Sequence, residues 1–485
     1  MKNLNCLLSN INTLKILGDK SIDIKSITNN SEKVSEKSMF IAIKGNNSDG
    51  HNYIDQAISN GAECIVCQIL PKKIVDSITY IVVKNSRGEY SKICSNFFEN
   101  PSEKLNLIGI TGTNGKTTTA TFLCEILKLH NIKSGLISTN CIEINGKKFD
   151  TNLTTPDSYE INFYLNEMVS LGVEYCFMEV SSHSIVQERI KGLNFKIGVF
   201  TNISHDHLNY HKTFKNYIKA KKIFFDNLNS KSVSLYNSDD KNGRIMIQNT
   251  ASKIKSFSIY KNSDYKIRII ENNLEGLVVE IEKDVMHTQI SGNYNAYNIL
   301  AAYAVCDLLG FEKQKIIQSI SILKSVEGRF EIISENNKIG IVDFAHTPDA
   351  IKKVLLSVRE YISEKNKLIT IVGCGGGRDK LKRHKMGSIS SSISDISIYT
   401  SDNPRDEDPN LIIKDMLEGV EIKNRDKVLV IENREKAIEK GVKLLNEKDI
   451  VVVLGKGHEK YQLIGNKKIE FSDKETLSYY LKRAV

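Results

Sequence analysis

The chain has no apolar run of about eighteen residues, the length a membrane-spanning helix needs, so no segment of it reads as an anchor. Its opening stretch, MKNLNCLLSN, is too short and too polar for a secretory leader, and a cytoplasmic protein is expected. Paired cysteines are missing as well. Nine cysteines are scattered over 485 residues, which suits the reduced thiols of a cytosol. The isolated C-x-x-C, Cys64-Ile65-Val66-Cys67, lies in an alternating apolar run and reads as strand core, not as half of a metal site. A basic block is also lacking. The 67 Lys and Arg against 58 Asp and Glu give a formal charge of +9, spread along the chain, which suits anionic ligands such as nucleotides and speaks against a nucleic-acid surface. There is no internal repeat and no low-complexity tract. What is left, 40% hydrophobic and 26% charged, is the composition of a soluble globular protein with room for about two to four domains.

The segment GITGTNGKTTT, Gly109 to Thr119, carries the first chemistry. Leu105 to Ile108 reads as the end of a buried strand, and Ala120, Leu123 and Leu127 follow at helical spacing. A glycine-rich turn between strand and helix is a phosphate cradle. Gly109, Gly112 and Gly115 let the backbone turn tightly and aim N–H groups at an anion, and the helix adds its unpaired donors and positive dipole end. Lys116 would reach the outer phosphates of a triphosphate, and the Thr117 hydroxyl would ligate magnesium. The spacing G-x-x-G-x-x-G-K-T is a variant, because the strict P-loop asks for glycine where Ile110 stands.

Strand-like runs recur throughout: ECIVCQI, TYIVV, LNLIGI, EYCFMEV, KIGVFTNI, GIVDFAH, LITIVGC, DISIYTS and IVVVLG. Most alternate with helical patterns, so the fold class is α/β with parallel sheets. ENPSEKLN (Glu99 to Asn106) and KSVEGRFEII (Lys324 to Ile333), the second with a glycine hinge, read as boundaries that give three domains, about 1–103, 104–328 and 329–485. Polar clusters fall beyond the carboxyl ends of strands, where open α/β sheets bind ligands. After YCFM comes Glu179-Val180-Ser181-Ser182-His183, and after IGVFTNI comes Ser204-His205-Asp206-His207, with Lys221 further on in KAKKIFF. A carboxylate and an imidazole at the ends of neighbouring strands, facing a P-loop, would together hold magnesium between phosphate and acceptor. Apart from Glu179, no acidic residue ends an apolar strand as a Walker B residue would. Phosphoryl transfer to a specific acceptor therefore fits better than bare hydrolysis.

With TTPD (Thr154 to Asp157), GNYNAYNILAA (Gly292 to Ala302), EGRFE, VDFAHTPD (Val342 to Asp349), GCGGGRD, DNPRDEDP (Asp402 to Pro409) and GKGHE (Gly455 to Glu459), these motifs resemble the Mur ligase family. Its members are ATP-dependent enzymes that add amino acids to the UDP-muramoyl peptide of bacterial cell walls. The resemblance runs over nearly the whole chain, and TTP, SSH and DNPR are similar to the tripeptide synthetase branch. It implies an N-terminal α/β domain for the uridine nucleotide, a central P-loop domain for ATP and a C-terminal Rossmann-like domain for the amino acid. ATP and Mg2+ are the implied cofactors, UDP-N-acetylmuramoyl-L-alanyl-D-glutamate and meso-diaminopimelate the implied substrates, and a monomer the implied state. The implied reaction phosphorylates the D-glutamate side-chain carboxylate and lets an amine displace phosphate from the acyl phosphate.

Residue by residue, the resemblance implies that Thr111, Gly112, Thr113, Asn114, Gly115, Lys116, Thr117 and Thr118 cradle ATP. Asn295 and Asn298 would face the adenine, with Arg329, Asp343 and His346 closing over the nucleotide from the third domain. Ser31 would grip the uridine nucleotide, and Thr154, Thr155, Ser181, Gln187 and Arg189 the muramoyl dipeptide. Glu179 and His207 match magnesium-binding positions beside Thr117, and Lys221 matches a lysine that relatives carry as a metal-binding carbamate. Spacing alone leaves Lys219 and Lys222 as rivals, and the family register Y-x-x-A-K selects Lys221. Arg378, Asp402, Asn403, Pro404, Arg405, Gly455 and Glu459 match the amino-acid pocket. Arginine in this loop generally accompanies diaminopimelate, whose second carboxylate suits a guanidinium; lanthionine keeps both ends, and lysine lacks one. The chain departs from the family pattern at Asn30 and Glu32 beside Ser31, at Gly377 and at His384, which leaves room for a ligase of another pathway with a shifted substrate.

Overall fold

In the computed structural model, which describes residues 1–45 and 48–484, the nine apolar runs named above are all strands, distributed over three large sheets. The N-terminal sheet has five strands in the order Thr13–Leu17, Thr79–Val83, Ala62–Cys67, Ser38–Ile41, Ser26–Thr28. It is parallel except at the Thr13–Leu17 edge. Cys64 and Cys67 are three apart on one strand and so project to opposite faces, Cys64 into one apolar cluster and Cys67 into another. They cannot share a metal, and burial pushes the Cys67 thiol up to about 11.

The central sheet has eleven strands. Its middle is parallel, with Asn106–Thr111 between Tyr175–Glu179 and Phe195–Phe200. These strands are covered on both faces, which is why they read as continuous apolar runs. Antiparallel hairpins close the two edges, Ile142–Ile144 with Lys147–Phe149 on one side and Gly276–Ile281 with Asp284–Thr288 on the other. The glycines of the P-loop segment do not all serve the turn. Gly109 lies inside the strand, paired with Met178 and Gly198. A Cβ there would come within 2.6 Å of the Phe224 ring and 2.8 Å of the Phe195 ring, so its role is room for packing.

The C-terminal sheet runs Glu331–Glu335, Lys338–Asp343, Ile450–Leu454, Leu368–Val372, Ile396–Tyr399, Val428–Val430. The first pair is an antiparallel hairpin and the rest are parallel. Strand order reverses around Ile450–Leu454, so the loops after Asp343, Val372, Tyr399 and Leu454 leave one edge together at a topological switch point. No helix among the described residues is long and apolar enough to cross a membrane.

Candidate active site

Because the P-loop strand lies between the strands that end at Glu179 and Phe200, three loops emerge side by side. The helix Lys116–Leu129 begins at Gly115, whose φ of 87° favours glycine and whose missing Cβ would fall 2.4 Å from Asn298 Oδ1. At Gly112 a Cβ would fall 1.9 Å from Thr201 Oγ1. Lys116 Nζ donates to the Gly112 and Thr113 carbonyls, both at 3.0 Å. Burial holds this ammonium below the usual lysine value, while Glu179 and Asp206 pull it back up.

The Glu179 carboxylate is fully buried. One oxygen accepts from Thr139 N at 2.8 Å and the other from Thr139 Oγ1 at 3.2 Å, which leaves lone pairs free on both. His207 has its Nε2 3.3 Å from Asp206 Oδ2, yet burial lowers its pKa to about 3 and keeps the ring neutral, as a metal ligand must be. Asp206 itself stays ionised: burial opposes the charge, and Lys382 of the C-terminal domain, 3.6 Å away, and the His207 backbone N–H, which donates to Oδ1 at 2.9 Å, outweigh it.

The helix Phe214–Asp226 carries three candidate lysines and buries only one. Lys219 is exposed, and Lys222 pairs with Asp226 at 2.5 Å. Lys221 is 1% exposed, donates to the Gly112 carbonyl at 2.8 Å and lies 3.4 Å from Thr111 Oγ1. Burial and the neighbouring Lys116 charge hold its amine well below the usual value. Among the described residues no three His, Cys, Asp or Glu side chains converge as a ready-made metal site. Thr117, Glu179 and His207 line the same cavity, and magnesium usually takes few protein ligands, completed by substrate phosphates and water.

The C-terminal domain reaches across to this group. Arg329 donates from NH2 to Thr117 Oγ1 at 3.1 Å and stacks on the Phe344 ring, 4.4 Å from its centroid. Asp343 acts on its own loop, accepting from Phe330 N and Ala345 N, both at 2.7 Å. His346 donates from Nδ1 to the Phe344 carbonyl at 2.8 Å, and burial lowers its pKa to about 4. Asn298 Nδ2 donates to Asn295 Oδ1 at 2.8 Å. Two further contacts span the cleft, His205 to Asp379 at 3.1 Å and Asn114 to Asp349 at 3.3 Å.

Around the acceptor side, Thr155 Oγ1 donates to the Glu179 carbonyl at 2.7 Å and accepts from Ser181 N at 3.0 Å. Thr154 Oγ1 lies 3.1 Å from Thr139 Oγ1. Arg189 donates to the Thr155 carbonyl at 2.7 Å. In the third domain Asn403 donates to Glu459 Oε2 at 2.8 Å and accepts from Lys456 Nζ at 3.0 Å. Among the described residues the Arg405 guanidinium donates only to carbonyls, Gly376 at 2.7 Å and Asn403 at 3.3 Å. Arg378 is held below the usual arginine value by burial and by Arg405. Glu407 is nearby but engaged: it accepts from Gly377 N at 2.6 Å and from Arg383 at 3.0 Å. Neither Arg378 nor Arg405 therefore meets a carboxylate among the described residues.

One cavity of about 1980 Å³ joins these groups. It is lined by every expected site residue except Ser31, Thr111, Gln187 and Pro404. Ser31 lies in the N-terminal domain, donating to Gln56 Oε1 at 2.9 Å. Gln187 stands behind Arg189, whose Nε it accepts at 3.0 Å, and Thr111 closes its strand beside Lys221. Sequence reasoning missed Thr139 and Lys382, which line the cavity only through tertiary approach, and Lys456, which is fully buried inside the GKGHE motif and donates to Asn403 and Glu459.

Family models match the chain in three successive blocks: "Mur ligase family, catalytic domain" at residues 23–100, "Mur ligase middle domain" at 110–306 and "Mur ligase, glutamate ligase domain" at 328–457. Proteins named UDP-N-acetylmuramoyl-L-alanyl-D-glutamate–2,6-diaminopimelate ligase are similar over almost the full length. That of Cytophaga hutchinsonii is 45% identical over 96% of each chain, and that of Phocaeicola vulgatus 43% over 97% of this chain and 98% of its own. A solved structure with that ligase name is 27% identical and superposes with a TM-score of 0.68 over 97% of each chain. The MurF ligase of Thermotoga maritima in complex with ADP, 17% identical, shares the fold, with a TM-score of 0.63 over 95% of this chain and 97% of its own. Three domains that place a P-loop, a buried Glu179 and two arginines without a carboxylate partner among the described residues around one cavity, matched nearly end to end by these relatives, show that the chain belongs to the Mur ligase family.

Proposed function

We propose that this protein is an ATP-dependent ligase that joins meso-diaminopimelate to the D-glutamate side-chain carboxylate of UDP-N-acetylmuramoyl-L-alanyl-D-glutamate in peptidoglycan precursor synthesis. It acts as a monomer in the cytoplasm, with residues 1–103 binding the uridine nucleotide, 104–328 ATP and 329–485 the amino acid. The observation that carries this reading is the shared cavity, in which Lys116 of the P-loop and the carboxylate-free Arg378 and Arg405 face one space. The names of the full-length relatives support the same substrates.

An amide does not form directly from a carboxylate, because oxide is a poor leaving group. Lys116 and the P-loop N–H groups hold the outer phosphates while the γ-phosphoryl group passes from ATP to a carboxylate oxygen of D-glutamate and ADP is left behind. The amine nitrogen then attacks the acyl carbon, the bond to phosphate breaks, and the nitrogen gives up a proton. Magnesium, when held by Thr117, Glu179 and His207, supplies positive charge that offsets the transferring oxygens. Burial favours the uncharged amine of Lys221, the form that is nucleophilic toward carbon dioxide, and a carbamate there would add a carboxylate to this group. Asn295, Asn298, Arg329, Asp343 and His346 hold the nucleotide and exclude the water that would hydrolyse the acyl phosphate. Thr154, Thr155, Ser181 and Arg189, backed by Gln187, hold the dipeptide, and Ser31 the uridine end. Asp402, Asn403, Gly455 and Glu459 hold the amino acid, and the two arginines take its far carboxylate. Lysine would leave those guanidiniums unpaired, which favours diaminopimelate. Phosphate release from ATP should require both the UDP-muramoyl dipeptide and the amine; release with neither, or only with an unrelated carboxylate, would refute the assignment.

A further inference from the structure

Beneath the amino-acid pocket lies an ion pair that no step of the reaction uses. Arg434 and Asp473 are both 0% exposed in their side chains, and they meet in a two-pronged contact, Nε to Oδ1 and NH2 to Oδ2, each at 2.7 Å. Arg434 opens the helix Arg434–Lys443, and Asp473 opens the helix Asp473–Arg483 near the end of the chain. Asp473 suits its position, since a helix N-terminus favours negative charge; Arg434 does not suit its own. Its remaining donors explain it. NH1 reaches the Ser401 carbonyl at 3.3 Å and NH2 the Leu454 carbonyl at 2.9 Å. Those carbonyls immediately precede Asp402 and Gly455, and the two loops touch there: a Cβ on Gly455 would fall 2.5 Å from Asp402 Oδ2.

We propose that Arg434, braced by Asp473, is a positioning residue that fixes the Asp402 and Gly455 loops against each other and so sets the geometry of the site for the incoming amino acid. The inference rests on the reading of those loops as the amino-acid pocket. Stability alone does not explain the pair, because a fully buried ion pair is commonly matched or bettered by apolar residues of similar volume. Arg434 ties both loops and the last helix with four hydrogen bonds, an arrangement that apolar packing would not reproduce. Its charge also stands behind the pocket: burial disfavours the cation, but Asp473 outweighs that, with Asp402 and Glu459 adding to it.

The experiment replaces the pair with Arg434→Met together with Asp473→Leu and compares melting temperature and the KM for each of the three substrates with the parent. A fold that melts at or above the parent is expected, with the amine KM raised at least about tenfold, since displacement of a bound group by about 1 Å costs on the order of a hundredfold. The ATP and UDP-substrate KM values should stay within about twofold. An unchanged amine KM, or a parallel rise in all three, overturns the proposal. Should the double variant not fold, the same split is required of Arg434→Lys and Asp473→Asn, and its absence there overturns the proposal equally. The parent's own turnover with diaminopimelate, measured first, tests the pocket reading by itself. An active parent with an indifferent variant counts against Arg434 alone.

Discussion

Replacing Lys116 by alanine should abolish turnover without weakening the fold. The ammonium donates to two carbonyls of its own loop, both at 3.0 Å, and each such bond contributes about 1 kcal/mol net. Burial of the charge works against it, which is why its pKa is lowered. The two effects oppose each other, so the variant should melt close to the parent or above it at neutral pH. The sign of the pH dependence follows. With a folded pKa below the unfolded value of about 10.4, the unfolded chain binds the extra proton, and the cost of Lys116 is fully present below the folded pKa. That cost fades as pH rises through the window to about 10.4, so any gain in the variant should shrink toward alkaline pH. Turnover is another matter. Losing one preorganised cation from a water-excluded cleft costs about 3 to 4 kcal/mol of transition-state stabilisation, roughly 10²- to 10³-fold in kcat. The assays are phosphate release at saturating substrates and thermal melting at neutral and alkaline pH. Retention of more than about a tenth of the rate, about 1.4 kcal/mol in barrier terms, would refute the role given to this lysine. So would a large loss of melting temperature at neutral pH, which would make it structural.

Lys221→Ala should lose activity and regain part of it with added short carboxylates, whereas Lys219→Ala should be silent; an active Lys221→Ala protein would make the lysine ordinary. Arg405→Ala should erase the preference for diaminopimelate over lysine in a competition of the two amines, and an unchanged preference would move specificity elsewhere. Gly455→Ala should raise the amine KM and lower stability by roughly 1 to 3 kcal/mol, because φ is 116° and the new Cβ would meet Asp402; a neutral outcome would mean that the two loops yield. Burial lowers the pKa values of His183, His211 and His346 to about 4 and of His207 and His458 to about 3. The unfolded chain takes up these protons first, so stability should fall as pH drops from about 6.5 toward 4. A flat urea midpoint across that range would contradict the buried histidine set.

The parallel cores were legible because their strands are covered on both faces, as at Ile450–Leu454, where all five residues are buried. The edge hairpins were not. Lys147–Phe149 is three residues long and largely exposed, and Asp284–Thr288 mixes buried and exposed positions. Glu179 and His207 stood out because the first ends a buried strand and the second lies in the loop after another. Gly109 was assigned to the turn although it belongs to the strand, since spacing cannot tell a glycine that turns the backbone from one that makes room for Phe195 and Phe224. Lys221 could have been separated from its neighbours by helical phase, four residues after Tyr217 and three before Phe224, both of which share its buried face. Thr139 and Lys382 carried no such signal, whereas Lys456 stood inside the GKGHE motif and was passed over. Lys382 meets Asp206 only because two domains face each other, and the partners of Arg434 lie 20 to 39 positions away along the chain.

The most direct test of the ligase assignment follows the oxygen atoms. The protein is given ATP, diaminopimelate and UDP-N-acetylmuramoyl-L-alanyl-D-glutamate whose D-glutamate side-chain carboxylate carries heavy oxygen, and the released phosphate is analysed by mass spectrometry. Activation through an acyl phosphate predicts one heavy oxygen in each phosphate, in step with a product heavier by one diaminopimelate residue. Unlabelled phosphate, or labelled phosphate without the tripeptide product, would contradict the account.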